Sequence, residues 1–241
     1  MPEGDTWTRA APPIPSGDAG DPRLLIWLSP AFPVGAYAYS HGLELAVERG
    51  WLEGVDGLEA WLCDLTLCGS LRNDLILLAE AWRATTASDL VALGDVAALA
   101  LALQPSAERR LESVTQGNAF LATVSTAWPS PRLAAARPCL GDEVTYPVAL
   151  GCTAAAHAIA CEAMLVGYGT AFVSNLVSAA IRLSVVGQTD GQRVISALMA
   201  PVRATAQFSS RSSLDDLGSA TLLSDLASLA HETQYTRLFR S

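Results

Sequence analysis

Apolar positions along this chain recur with a spacing near 3.6 residues, and no stretch alternates as a strand would. Helix signals follow one another instead. A short entry at 24–28 closes at Ser29-Pro30, and a helix over 33–49 stops at Gly50, a left-handed terminator. Asp56 to Glu59 reads as a capping box opening a helix to about Cys68, and helix continues from Ser70 to about Ala84. An alanine-leucine helix occupies 89–103. The long one at 106–128 carries Leu111, Val114, Leu121, Val124 and Trp128 on one side. Four prolines make 129–147 the longest internal loop. Two nearly polar-free helices follow at 148–166 and 170–186, then a turn at 187–191 with Asp190 as cap of a helix over 192–208. A serine-rich linker leads to a last helix over 215–229. The expected fold is all-α, a single bundle of roughly ten helices.

Within the 33–49 segment, Ala36, Tyr39, Leu43, Ala46 and Val47 make an apolar helical face; Tyr37, His41, Glu44 and Glu48 make an opposing polar stripe. Core packing requires the first face and leaves the second without a folding role. His41, Glu44 and Glu48 span a nitrogen and two oxygens for a divalent ion or, read blandly, a solvated stripe. His157 and Cys161, four apart on an expected helix, form a weak soft-donor pair for nickel or zinc, with core packing as the alternative. Glu162 is a charge in an apolar run and needs a counter-charge, for which Arg182 is the candidate by composition. At the C-terminal end, Tyr235, Leu238 and Phe239 alternate with Arg237 and Arg240. Apolar groups of that size call for burial, against the chain's own domain or against a partner.

Composition narrows the function classes. The net charge is −9, with a pI of about 4.7, which opposes nucleic-acid binding. All fifteen cationic side chains are arginine, so Schiff-base, Walker-A and kinase lysine chemistry is absent. Five scattered cysteines without CxxC spacing fit reduced thiols. No Ser/His/Asp order, H-E-x-x-H or polar acid pair points to catalysis. The mean hydropathy of +0.30 raises a membrane reading for 147–167 and 166–187, but His157 and Glu162 in the first and Arg182 in the second oppose it.

Four blocks carry a resemblance: Pro30 to Glu44, Glu112 to Gly117, Arg182 to Gln192, and His231 to Ser241. In that order they are similar to the urease accessory protein UreF family, over all but the first twenty-odd residues. The resemblance implies an all-helical, non-catalytic chaperone that dimerises, binds UreD (also called UreH), recruits the GTPase UreG and serves nickel delivery to apo-urease in the cytoplasm. No stably bound cofactor is expected, with nickel handled by the complex. It divides the chain into a leader at 1–22, read from its Pro, Gly and Asp content as disordered, a helical domain at 23–230 and a partner-binding tail at 231–241.

The resemblance further implies that Tyr235, Arg237, Leu238, Phe239 and Arg240 face UreD. Tyr37, Tyr39, His41, Glu44 and Glu48 face UreG, and Glu162, Arg182 and Gln188 lie near the dimer interface or an interior path. Many relatives carry an aromatic-x-acidic-Asn-Gln run where this chain has Phe172-Val173-Ser174-Asn175-Leu176, which removes an acid and an amide from any nickel-guiding role there. A membrane-associated helical transporter and a generic helical interaction protein are the competing classes.

Overall fold

The computed structural model describes residues 21–241; of the leader expected at 1–22, residues 1–20 lie outside them, while Asp21 and Pro22 cap and open the first helix. The chain forms α1 (Pro22–Trp27), α2 (Leu43–Glu48), α3 (Gly54–Cys68), α4 (Ser70–Ala87), α5 (Leu90–Ala102), α6 (Ala107–Ala127), α7 (Pro131–Ala136), α8 (Tyr146–Ala156), α9 (Cys161–Arg182), α10 (Gln188–Ser209) and α11 (Leu222–His231), with three short 3-10 turns. There is no strand among the described residues. The bundle is all-α as expected.

Its centre is α4, whose Leu71, Leu75, Leu78 and Ala81 are fully buried, with α8 and α9 packed alongside. Gly151 of α8 lets the two backbones close: an added Cβ would lie 2.4 Å from the Leu78 carbonyl oxygen. Trp27 anchors α1 by edge-on contacts with Phe120, Trp128 and His157 at 5.3–5.9 Å. The helix α9 is long and apolar enough to cross a membrane, yet more than half of its most apolar window is buried against its neighbours. It is a core helix of this bundle.

Several boundaries depart from the sequence reading for local reasons. Helix α3 starts at Gly54 with no side-chain cap, which leaves Asp56 in its first turn rather than at a capping box. The 129–147 segment contains α7, because Ser130 accepts the Leu133 N–H and Pro131 fills the first helical position. Asp190 does not cap α10; it sits in the first turn and pairs with Arg193 at 2.7 Å, and the cap position is Gly187.

The larger difference is at 157–160. A single helix through His157 and Cys161 does not form: Ala158 takes a left-handed φ of 59°, and the Ile159 N–H returns to the Ala154 carbonyl at 2.9 Å. Arg23 bonds the His157 carbonyl, and the Trp82 indole N–H bonds that of Ile159 at 2.8 Å. The stop is therefore held by tertiary donors.

Candidate functional site

Residues 30–44 fold as a shaped loop. Gly35, His41 and Gly42 all have φ near 57–76°, Tyr39 is extended, and a 3-10 turn covers Ala36–Ala38 before α2 begins at Leu43. A continuous helix over 33–49 cannot pass three left-handed residues. The apolar and polar stripes read from the sequence are thus replaced. Tyr39, His41 and Glu44 are buried, whereas Tyr37 is about two-thirds exposed and Glu48 is exposed. Gly42 is needed because its neighbour presses close: a Cβ there would stand 2.7 Å from the Ser228 backbone nitrogen of α11.

Onto this loop the C-terminal segment docks. Glu44 is the anchor, accepting the backbone N–H of Leu238 at 2.6 Å and of Phe239 at 2.9 Å. The Arg240 N–H reaches the Ala38 carbonyl at 2.9 Å, and the Ser40 N–H reaches the Ser241 carbonyl at 2.7 Å. The Phe239 ring is buried beneath the Arg182 guanidinium, 4.4 Å from its centroid. Arg182 also donates to the Tyr37 carbonyl at 2.6 Å.

A carboxylate row on α6 completes the junction. Glu108 bonds His231 at 2.6 Å and Arg237 at 2.6 Å, and the other ring nitrogen of His231 faces Glu44 at 3.3 Å. Glu112, 3% exposed, takes Arg109, the His41 Nε2–H at 2.7 Å, the Gln116 amide at 3.0 Å and the Ser241 hydroxyl at 2.8 Å. Burial opposes its ionisation, but Arg109 and these donors outweigh burial and hold the carboxyl at about 2. Burial, and then Arg109, pull His41 down, which keeps its ring neutral with Nε2–H aimed at Glu112.

The buried side of α6 is therefore polar here, and Leu111, expected on the apolar side, faces outward. Gly117 on the same helix is sterically required: a Cβ would meet the Val144 carbonyl oxygen at 2.1 Å. All four sequence blocks thus meet at one place, contributing the loop with Glu44, the Glu112 row, Arg182 and the tail. What remains outward is Tyr37, Tyr235, Leu238 and the guanidiniums of Arg182, Arg237 and Arg240.

Other candidates lie elsewhere. Glu162 and Arg182 occupy opposite ends of α9, roughly 30 Å apart at 1.5 Å per residue, and are not paired. Glu162 is exposed in the first turn, where negative charge suits the helix dipole. Gln188 is the exposed first residue of α10. His157 ends α8 beside Arg23, Nδ1 at 3.1 Å, and Cys161 opens α9 with its thiol pushed up to about 11 by burial. Helical i,i+4 geometry for a metal is thus lost, and no three His, Cys, Asp or Glu side chains converge as a metal group among the described residues.

Sequence reasoning missed Asp74. It lies on α4, buried, and accepts the Tyr168 hydroxyl at 2.9 Å. Burial raises its carboxyl to about 6 against the opposing pull of Arg109 and Tyr168. A carboxyl raised in the folded state costs stability above that value and costs nothing below its unfolded value near 4. Asp74→Asn retains an acceptor for Tyr168, so urea denaturation at pH 7.5 is expected to show a gain of about 2–3 kcal/mol. The gain should vanish by about pH 4.

A family model described as UreF matches residues 52–199. The urease accessory protein UreF of Methylobacterium radiotolerans is 52% identical over 219 residues, covering 91% of this chain and 96% of that protein. That of Xanthobacter autotrophicus is 53% identical over 218 residues, 90% of each. That of Rhodopseudomonas palustris strain BisB5 is 50% identical over 234 residues, 97% of this chain and 96% of its own. The chain belongs to the UreF family of urease accessory proteins.

Proposed function

We propose that this chain acts as a non-catalytic scaffold of urease maturation in the cytoplasm. Two copies pair through an isologous helical interface. The outer face of the junction then docks onto UreD, and the composite surface holds the UreG GTPase in the nucleotide state that passes nickel to apo-urease. Such a scaffold works by binding one nucleotide state of the GTPase more tightly than the other.

The observation that supports this reading is the division of labour within the junction. Buried charge and backbone hydrogen bonds fix the tail, while its exposed groups are the Tyr235 ring, Leu238 and the guanidiniums of Arg237 and Arg240, in a chain of net charge −9. Aromatic and arginine side chains are the groups that carry protein interfaces. Tyr39, His41 and Glu44 enter this proposal as the frame that shapes the surface, with Tyr37 and Glu48 at its edge.

The test uses exposed groups, so the fold is left intact. Tyr235→Ala with Leu238→Ala is expected to reduce co-purification with UreD by about tenfold or more, and urease activation with it, without change in thermal unfolding. Truncation before His231 should abolish both. Undiminished capture by the double variant would defeat the assignment of this surface. A UreG hydrolysis assay with and without the chain separates holding a nucleotide state from accelerating its turnover.

A further inference from the structure

Behind the junction lies a cavity of about 700 Å³, bounded by α1, α4, α6, α8, α9 and the loop before α2. Its walls are apolar, built from Leu24, Leu28, Val34, Val166, Ala171 and Phe172. Its floor is polar. Asp74 projects there with Tyr168 on one oxygen, beside the ring of Tyr146, 5.7 Å from that of Tyr168.

The charges that face this floor are few. Arg109 and Glu112 come from α6 and His41 from the loop; Tyr146 and Tyr168 come from α8 and α9, and Asp21, before α1, is already paired with Arg23. Glu112 is already occupied by Arg109, His41, Gln116 and Ser241. The Glu112 and Arg109 charges cancel and His41 is neutral, so one uncompensated negative charge, that of Asp74, remains in an apolar chamber. Burying a lone carboxylate is costly unless a counter-charge arrives.

We propose that this cavity binds a small organic monocation, a primary ammonium on an aryl or short alkyl body, with the ammonium paired to Asp74 and the body against the apolar walls. The volume falls in the range of small-molecule sites, and such sites combine mostly apolar lining with a few placed polar groups. A divalent metal fits poorly. Glu112 is fully engaged and Asp74 keeps one oxygen beyond its bond from Tyr168, whereas metal sites need three or more converging donors. The site is separate from the scaffold reading, and either stands without the other.

The full chain is titrated with 2-phenylethylamine and, as the uncharged isostere, 2-phenylethanol, by calorimetry at pH 7.5. The amine is expected to bind about tenfold or more tightly than the alcohol, as a charge-assisted contact requires. Asp74→Asn should erase that preference and leave the alcohol unchanged.

Lowering the pH to 5 should weaken the amine about tenfold, because Asp74 titrates near 6. Glu112, held at about 2, stays ionised over that window, as does Asp21, whose carboxyl Arg23 holds below its ordinary value, and burial keeps both tyrosines protonated. His41 directs its ring hydrogen at Glu112. Ala171→Trp, which adds bulk at the apolar wall, should exclude both probes. Equal affinity for amine and alcohol, a preference that survives Asp74→Asn, binding unimpeded by Ala171→Trp, or saturable Ni²⁺ binding lost with Asp74 would each overturn the proposal.

Discussion

Glu112→Ala is expected to destabilise the chain by about 3–5 kcal/mol at pH 7.5, read from urea denaturation, because it strands a buried guanidinium. Arg109 is less than a tenth exposed, and its charge partner is Glu112. The same substitution removes the acceptor for His41, Gln116 and Ser241. For a domain whose whole stability is about 5–15 kcal/mol, a loss of this size unfolds a visible fraction.

The pH dependence of that loss checks its origin. The folded carboxyl is held at about 2, below its unfolded value near 4.5, so its contribution is present above that value and disappears as pH falls through about 2. A shift of that size corresponds to about 3 kcal/mol, in line with the expected loss. The gap between native chain and Glu112→Ala should therefore stay constant from pH 8 to about 5 and close towards pH 2. A gap independent of pH would assign the loss to packing instead. Asp74 works in the opposite sense, because its raised carboxyl makes the native state gain on acidification between about pH 6 and 4.

Helix identity was legible because apolar periodicity is a local property, and nearly every expected helix has a counterpart. The site was legible as four blocks but not as geometry. Nothing in Ala156-His157-Ala158-Ile159 marks a stop; the stop depends on Arg23 and Trp82, distant in sequence. The loop at 35–42 contains two glycines, which a helical reading tolerates singly, and the left-handed His41 between them makes sense only once Glu112 receives its ring. The polar stripe was real chemistry assigned to the wrong direction: Glu44 faces inward because the tail supplies two N–H donors to it. The tail's need for burial was evident from its aromatic content, and the sequence left open whether its own domain or a partner met it. Phe239 is covered by its own domain; Tyr235 is fully exposed.

That arrangement makes Glu44 the residue on which the tail's order depends, and Glu44→Ala the second large effect. Two backbone N–H groups and one face of His231 lose their acceptor together, while no core hydrocarbon beyond the Glu44 stem is disturbed. Hydrogen bonds to a charged group contribute about 1.5–3 kcal/mol each, so local opening of the tail should become easier by about 3–5 kcal/mol. Amide exchange at Leu238, Phe239 and Arg240 is then expected to quicken by about a hundredfold or more, with amides of α4 unchanged. Arg182→Ala, which removes the cover of Phe239 and the donor to Tyr37, should act in the same direction with a smaller effect. Exchange that rises equally in α4 would mean global destabilisation and would refute a local anchor. An unchanged tail would show that the Ala38 and Ser40 backbone contacts hold it without the carboxylate.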